Sequence, residues 1–260
     1  MTAPGASFQH LRLEHAEGLR RIVLDRPPLN ILTISMLREL DEAAARVHAD
    51  PGASVLVVTG AGKTFCAGVD VADHTEDRVG EMINVFHAAL NRLVDLEIPV
   101  VAVLNGAALG GGLEVALACD VILARAETKL GQPEIRLGVF PPFAAVVLPR
   151  LLGRAQAMDL CLTGRTFTAE EGRATGLVQH VFPQDTFAED ADRYVEALTA
   201  LSPAVLRLTK RAVAQGAKAP LGQAMRDTER LYLDDLMKLD DAREGMAAFL
   251  EKRPPAWKGS

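Results

Sequence analysis

The stretch Pro99-Val-Val-Ala-Val-Leu-Asn-Gly-Ala-Ala-Leu-Gly-Gly-Gly-Leu-Glu-Val-Ala-Leu-Ala-Cys-Asp120 constrains the fold more than any other part of the chain. Val100 to Leu104 is a continuous β-branched and apolar run, the sign of a strand covered on both faces. It passes through a glycine turn into an apolar helical segment, Leu113 to Ala118. Gly110, Gly111 and Gly112 remove side chains where the backbone must approach something closely, and the helix start leaves its first amides unpaired. Such a place favours negative charge, either a phosphate or an oxyanion developing on a carbonyl. No Gly-Lys-Ser/Thr ending follows, which disfavours a nucleoside triphosphate. A glycine triplet alone is equally well a tight turn with no ligand.

The order of elements around this stretch repeats. Leu11 to Leu13 and Leu19 to Leu24 read as a hairpin. After Pro27-Pro28, Thr33 or Ser35 can cap a helix bearing Met36, Leu37, Leu40, Ala44 and Val47 at helical spacing, ended by Pro51-Gly52. A strand over Val55 to Val58, a helix from about Val79 to Leu96 and a strand over Val121 to Ala124 complete an alternating pattern that implies crossover units on a sheet. From Phe143 onward the pattern is mainly helical, with later segments at Ala191 to Leu201, Pro203 to Ala214 and Leu221 to Leu239. The reading is one globular α/β unit, residues 1–200, with a helical extension over 201–260.

Two carboxylates carry the chemical argument. Glu114 lies in the first turn of an apolar helix, where burial is costly without a partner or a role, although a charge complementing the helix dipole is the plainer alternative. Glu134, in Gly131-Gln-Pro-Glu-Ile-Arg-Leu-Gly138, follows a proline that fixes the local backbone; by itself it reads as a solvated helix-start residue. Together, two carboxylates can divide acid and base roles if one is held neutral and the other ionised. Upstream, Gly62-Lys-Thr-Phe-Cys-Ala-Gly-Val-Asp70 forms a second glycine-containing turn whose amides could complete a two-donor oxyanion hole, or it is an ordinary strand exit.

Bulk properties narrow the partners. A net charge of −6 over 260 residues disfavours broad attraction to nucleic acid or anionic lipid. The apolar tract Ile98 to Ala124 is broken by Asn105, Glu114, Asp120 and glycines, unlike a membrane helix. Cys66, Cys119 and Cys161 have no paired or metal-ligand spacing, and the opening residues lack a secretory pattern, so a reducing, cytoplasmic setting is expected.

These three segments, in this order, resemble the crotonase superfamily: an A-G-x-D turn, an N-G-x-x-x-G-G-G-x-E helix start and a G-Q-P-E-I-x-L-G turn. The likeness runs from about residue 8 to the end, through Leu162-Thr-Gly-Arg, Gly176-Leu-Val and Glu251-Lys-Arg-Pro-Pro-Ala-Trp-Lys-Gly. It implies a crotonase (ClpP-like) spiral of β-β-α turns, with a helical C-terminal region that assembles trimers or dimers of trimers. It also implies an acyl-CoA substrate, with no metal and no cofactor beyond the coenzyme A of the substrate itself. By position, the Val69 and Gly111 amides match the oxyanion donors, and Glu114 and Glu134 match the hydratase carboxylates. Leu29, Ala67, Gly68, Asp70, Val71 and Gly110 match substrate-binding positions. Retention of both glutamates points to reversible hydration of a 2-enoyl-CoA; an isomerase using one glutamate, or a non-catalytic acyl-CoA- or RNA-binding member of the fold, is the competing expectation.

Two departures stand out. Val69-Asp-Val-Ala-Asp-His74 replaces the usual A-D-I-K-E-M, so Ala72 stands where a CoA-proximal lysine is common. Phe140-Pro-Pro-Phe143 and the alanines after it replace a glycine-rich stretch, predicting a stiffer and more apolar acyl pocket. This stretch, with Asp73-His74 and Phe86-His87, resembles cyclohexa-1,5-diene-1-carbonyl-CoA hydratases. His74 and His87 are expected near the acyl channel, without a catalytic assignment. Cys66 and Asp120 read as structural, Trp257 as an anchor for the tail, and Lys252, Arg253 and Lys258 as a solvated tail or CoA-phosphate contacts. Met225, Leu231, Leu233, Leu236 and Met237 form a packing stripe.

Overall fold

The computed structural model describes residues 8–260. β1 (Leu11–His15) and β2 (Leu19–Leu24) form the expected antiparallel hairpin, with Leu11 opposite Leu24. α1 (Ile34–His48) is capped by Thr33, whose hydroxyl accepts the Met36 N–H at 3.3 Å. β3 (Val55–Gly60), α2 (Val79–Asp95) and β4 (Val100–Leu104) follow, with a 3-10 turn at Val71–His74 after the second glycine-containing turn. Next come β5 (Ala108–Leu109), α3 (Gly111–Leu117), β6 (Val121–Arg125), β7 (Lys129–Gly131) and a 3-10 turn, Pro133–Leu137. α3 begins earlier than Leu113 because Gly110, at φ 51°, makes the bend and frees Gly111 and Gly112 to form its first turn.

The remaining elements are α4 (Ala144–Leu152), α5 (Arg154–Thr163), β8 (Thr166–Thr168), α6 (Ala169–Ala174), β9 (His180–Phe182), α7 (Phe187–Thr199), α8 (Pro203–Gly216), α9 (Leu221–Arg230) and α10 (Asp240–Glu251). The sequence reading of this half as mainly helical misses β8 and β9. Each is too short to show alternation, yet β9 pairs in parallel with β6 as the last strand of the main sheet. The helix expected over Leu221 to Leu239 also divides, widening into a π turn at Leu231–Asp235. There Leu231 turns inward while Leu233 and Met225 stay exposed, so the predicted stripe is only partly packed within the chain.

The main sheet runs β1-β2-β3-β4-β6-β9 and a smaller one β5-β7-β8. β3 is buried on both faces: Leu56 and Val58 pack with α1 and α2, whereas Val55 and Val57 pack with Ala191 and Val195 of α7. α8 is tied back onto this core. Arg207 donates to the Ala53 carbonyl, and Lys210 bridges the Ile98 carbonyl and Asp120, whose carboxylate also accepts the Val100 N–H at 2.7 Å. Trp257 anchors the tail by donating to the Ala200 carbonyl, and Arg253 is held by Glu244 and Glu251. Among the described residues, no helix is long and apolar enough to cross a membrane.

Candidate active site

The two glycine turns meet because the backbone at each is otherwise committed. Cys66 N–H donates to the Ala107 carbonyl and Leu109 N–H to the Cys66 carbonyl, which stitches the upstream turn to β5. Ala67 N–H donates to the Leu29 carbonyl, and Asp70 N–H to the Leu32 carbonyl. On the other side, Gly110 N–H is taken by the Gly131 carbonyl. Between these paired neighbours, the amides of Val69 and Gly111 have no acceptor among the described residues.

The glycine triplet has a steric explanation at each position. A Cβ on Gly110 would lie 2.7 Å from Glu134 Oε1, and one on Gly111 would lie 2.5 Å from the Val69 Cγ2. One on Gly112 would overlap the Cys66 carbonyl oxygen, far closer than carbon and oxygen atoms can approach. Only glycines therefore let the α3 start, the Val69 turn and Glu134 share one small region. Cys66 is fully buried, its thiol pushed up to about 12 by desolvation, which fits packing and not nucleophilic chemistry.

Glu114 does not serve its own helix start. Its side chain is 2% exposed, and Oε1 accepts the Ala144 N–H at the start of α4 at 2.8 Å. Burial pushes its carboxyl up to about 7; the Ala144 hydrogen bond opposes that, and the charge of Glu134 adds to it. Glu134 is half-buried and is likewise raised to about 7 by desolvation, so it is not a solvated helix-start residue. Gln132, with no exposed surface, supports it: its carboxamide, oriented by its hydrogen-bond partners, donates to both Glu134 oxygens at 3.0 and 3.1 Å. The sequence offered no signal for this beyond Gln132 standing two places before Glu134.

Both glutamates open into a cavity of about 810 Å³, which also takes in Ala67, Gly68, Val69, Asp70, Val71, Gly110 and Gly111. Leu29 is the exception among the expected residues: its side chain is exposed outside the cavity, and only its carbonyl takes part, as acceptor for Ala67. Arg26, which the sequence reading passed over, lines the cavity instead, 3.9 Å from Asp70 and donating to the Ile31 carbonyl. An arginine directly before Pro27-Pro28 was the available clue. Of the two histidines, His74 lines the cavity and His87 does not. The apolar part of the cavity wall combines Met82, Ile83 and Phe86 of α2 with Leu137, Phe140 and Pro142.

Two sheets joined through a spiral, with paired carboxylates beside a glycine-lined amide pocket, define a crotonase-type acyl-CoA protein. The chain belongs to the enoyl-CoA hydratase/isomerase family, whose match covers residues 14–260. It is 36% identical over 246 residues to the cyclohexa-1,5-dienecarbonyl-CoA hydratase of Thauera aromatica, covering 95% of each chain. Its fold superposes on the crystal structure of an enoyl-CoA hydratase from Bacillus anthracis with a TM-score of 0.92, at 32% identity over 97% of this chain and 100% of the other. An enoyl-CoA hydratase from Mycobacterium smegmatis gives a TM-score of 0.90 at 26% identity, covering 96% of this chain and 99% of the other.

Proposed function

We propose that the chain catalyses the reversible addition of water across the double bond of a 2-enoyl-CoA thioester. The observation that carries this is the pair Glu114 and Glu134, both held near neutrality by burial and both facing the cavity that contains the free Val69 and Gly111 amides. In this reading the thioester oxygen accepts from those two amides, which take up the negative charge that develops as water adds at the β carbon. An ionised glutamate removes the proton from that water, and the neutral one delivers a proton to the α carbon, so atoms and charge balance. No resident cofactor enters. Arg26 supplies a cation at the cavity where Ala72 offers none, and suits an anionic group of coenzyme A.

Glu114→Gln and Glu134→Gln are each expected to lower kcat by about 10²- to 10⁴-fold while CoA-thioester binding is retained. Wild-type turnover in both would sink the reading. An isomerase using one glutamate is separated by running the reaction in heavy-oxygen water: hydration places the label in the product, isomerisation does not. A purely RNA-binding role would instead appear as a gel shift at moderate salt, against the net charge of −6.

For the acyl group, we infer a rigid, cyclic dienoyl substrate. Phe140 and Pro142 stand in the cavity wall, and the Thauera relative acts on such a thioester by name. A panel of crotonyl-CoA, branched enoyl-CoAs and cyclic dienoyl-CoAs, followed by loss of the conjugated-thioester absorbance, is expected to favour the cyclic compound. Preference for the straight chain would reject this.

We further infer a cytoplasmic homotrimer, or a dimer of trimers. Leu233, Phe249 and Leu250 of the C-terminal region are 64%, 83% and 80% exposed, apolar side chains that a second copy would cover.

A further inference from the structure

We propose that His74 selects the acyl group, its Nε2 accepting a hydrogen bond from a hydroxyl that the substrate carries beyond the reacting carbons. The enzyme then prefers hydroxylated enoyl-CoA thioesters over plain ones, whether their carbon frame is open or cyclic. This rests on the hydratase reading and adds a substrate class to it.

His74 closes the 3-10 turn Val71–His74, just after the Val69 amide, and its half-buried side chain lines the cavity. Its Nδ1 lies 3.0 Å from the Asp70 carbonyl oxygen. A carbonyl only accepts, so Nδ1 carries the hydrogen, and the imidazole form of the ring has its lone pair on Nε2. The other histidine of the region differs: His87 Nε2 is sealed from solvent with no hydrogen-bond partner among the described residues, and His87 does not line the cavity. Much of the cavity that His74 lines is apolar, with Val79, Met82, Ile83 and Phe86 of α2 and with Phe140 and Pro142. The charged cavity residues have other parts to play, Arg26 beside Asp70 toward coenzyme A and the two glutamates in the reaction. An imidazole acceptor thus stands at a largely apolar cavity, where the usual hydratase pattern A-D-I-K-E-M has methionine. Such an acceptor discriminates through its own desolvation. A plain chain strips it of water and gives nothing back, whereas a hydroxyl replaces the lost bond.

The test compares γ- and δ-hydroxy enoyl-CoAs with the same chains lacking the hydroxyl, in wild type, His74→Met and His74→Gln. Wild type is expected to favour the better hydroxylated substrate by about tenfold or more in kcat/KM. The ratio should fall to near one in His74→Met and be partly kept in His74→Gln, whose carbonyl still accepts. The same ratio in wild type and His74→Met overturns the proposal, as does an equal loss on both substrates with the ratio unchanged. Calorimetric Kd values for the corresponding saturated acyl-CoA pairs need no turnover and should show the same ratio. Binding discrimination without hydration would defeat the hydratase reading alone; hydration with a ratio of one would defeat the His74 proposal alone.

Discussion

At the scale of single residues, the chemistry depends on where two carboxyl groups sit relative to water. Glu114 is raised from 4.5 to about 7, mainly because burial disfavours its charge. A carboxyl raised in the folded state costs nothing below pH 4.5, where folded and unfolded chains are both protonated. Between pH 4.5 and about 7 the unfolded chain ionises while the folded one keeps its proton, so stability falls across that window and levels off above it. At about 1.4 kcal/mol per pH unit, the full loss is roughly 3 kcal/mol. Glu114→Gln keeps an acceptor for the Ala144 N–H and removes the charge, so the variant is expected to melt higher than wild type at pH 8 and level with it near pH 4.5. Thermal unfolding followed by circular dichroism at the two pH values checks this; equal melting temperatures at pH 8 would show that the buried charge carries no penalty. The activity lost in the same variant and the stability gained have one cause, a carboxylate kept in an unfavourable place for its reactivity.

At the scale of elements, the site is a junction between the start of α3 and the turn after β3. Gly112 is the tightest of the three glycines, since any side chain there meets the Cys66 carbonyl, itself paired with the Leu109 N–H. Gly112→Ala would ordinarily favour a helix, but here it must push the two turns apart. The expected cost is about 1 to 3 kcal/mol, seen as a drop in melting temperature of several degrees, with the two free amides drawn out of register and kcat/KM lowered. An unchanged melting temperature would mean that the turns separate freely and do not hold the amides in place. Gly110, Gly111 and Gly112 could be read as a glycine turn from sequence. Their separate neighbours, Glu134, Val69 and the Cys66 carbonyl, could not, because those contacts join segments distant along the chain.

At the scale of the whole molecule, the C-terminal helices divide their surfaces. α8 is pinned to the core through Lys210 and Arg207, whereas Leu233, Phe249 and Leu250 face outward. If that face meets a second copy, charge placed on it should prevent assembly without unfolding the protomer. Phe249→Glu combined with Leu250→Glu is expected to shift the sedimenting species from a trimer or larger to a monomer, with the far-ultraviolet spectrum retained. A trimer that survives both charges would place the interface elsewhere.

What the sequence determined by itself is local. Periodicity placed β1 to β4, α1, α2 and β6, because an amphipathic or doubly buried segment must repeat its apolar residues at the spacing of its backbone. The motif resemblance singled out the two glutamates, the glycine triplet and the Val69 turn as a set. Tertiary structure decided what surrounds them. It brought the Ala144 N–H to Glu114, the Gln132 carboxamide to Glu134 and Arg26 into the cavity, left Leu29 outside it, and gave β9 a place in the main sheet. Those outcomes depend on burial and on contacts between residues far apart in the chain. The same burial raises both carboxyl groups to about 7, a property that no local pattern of residues carries.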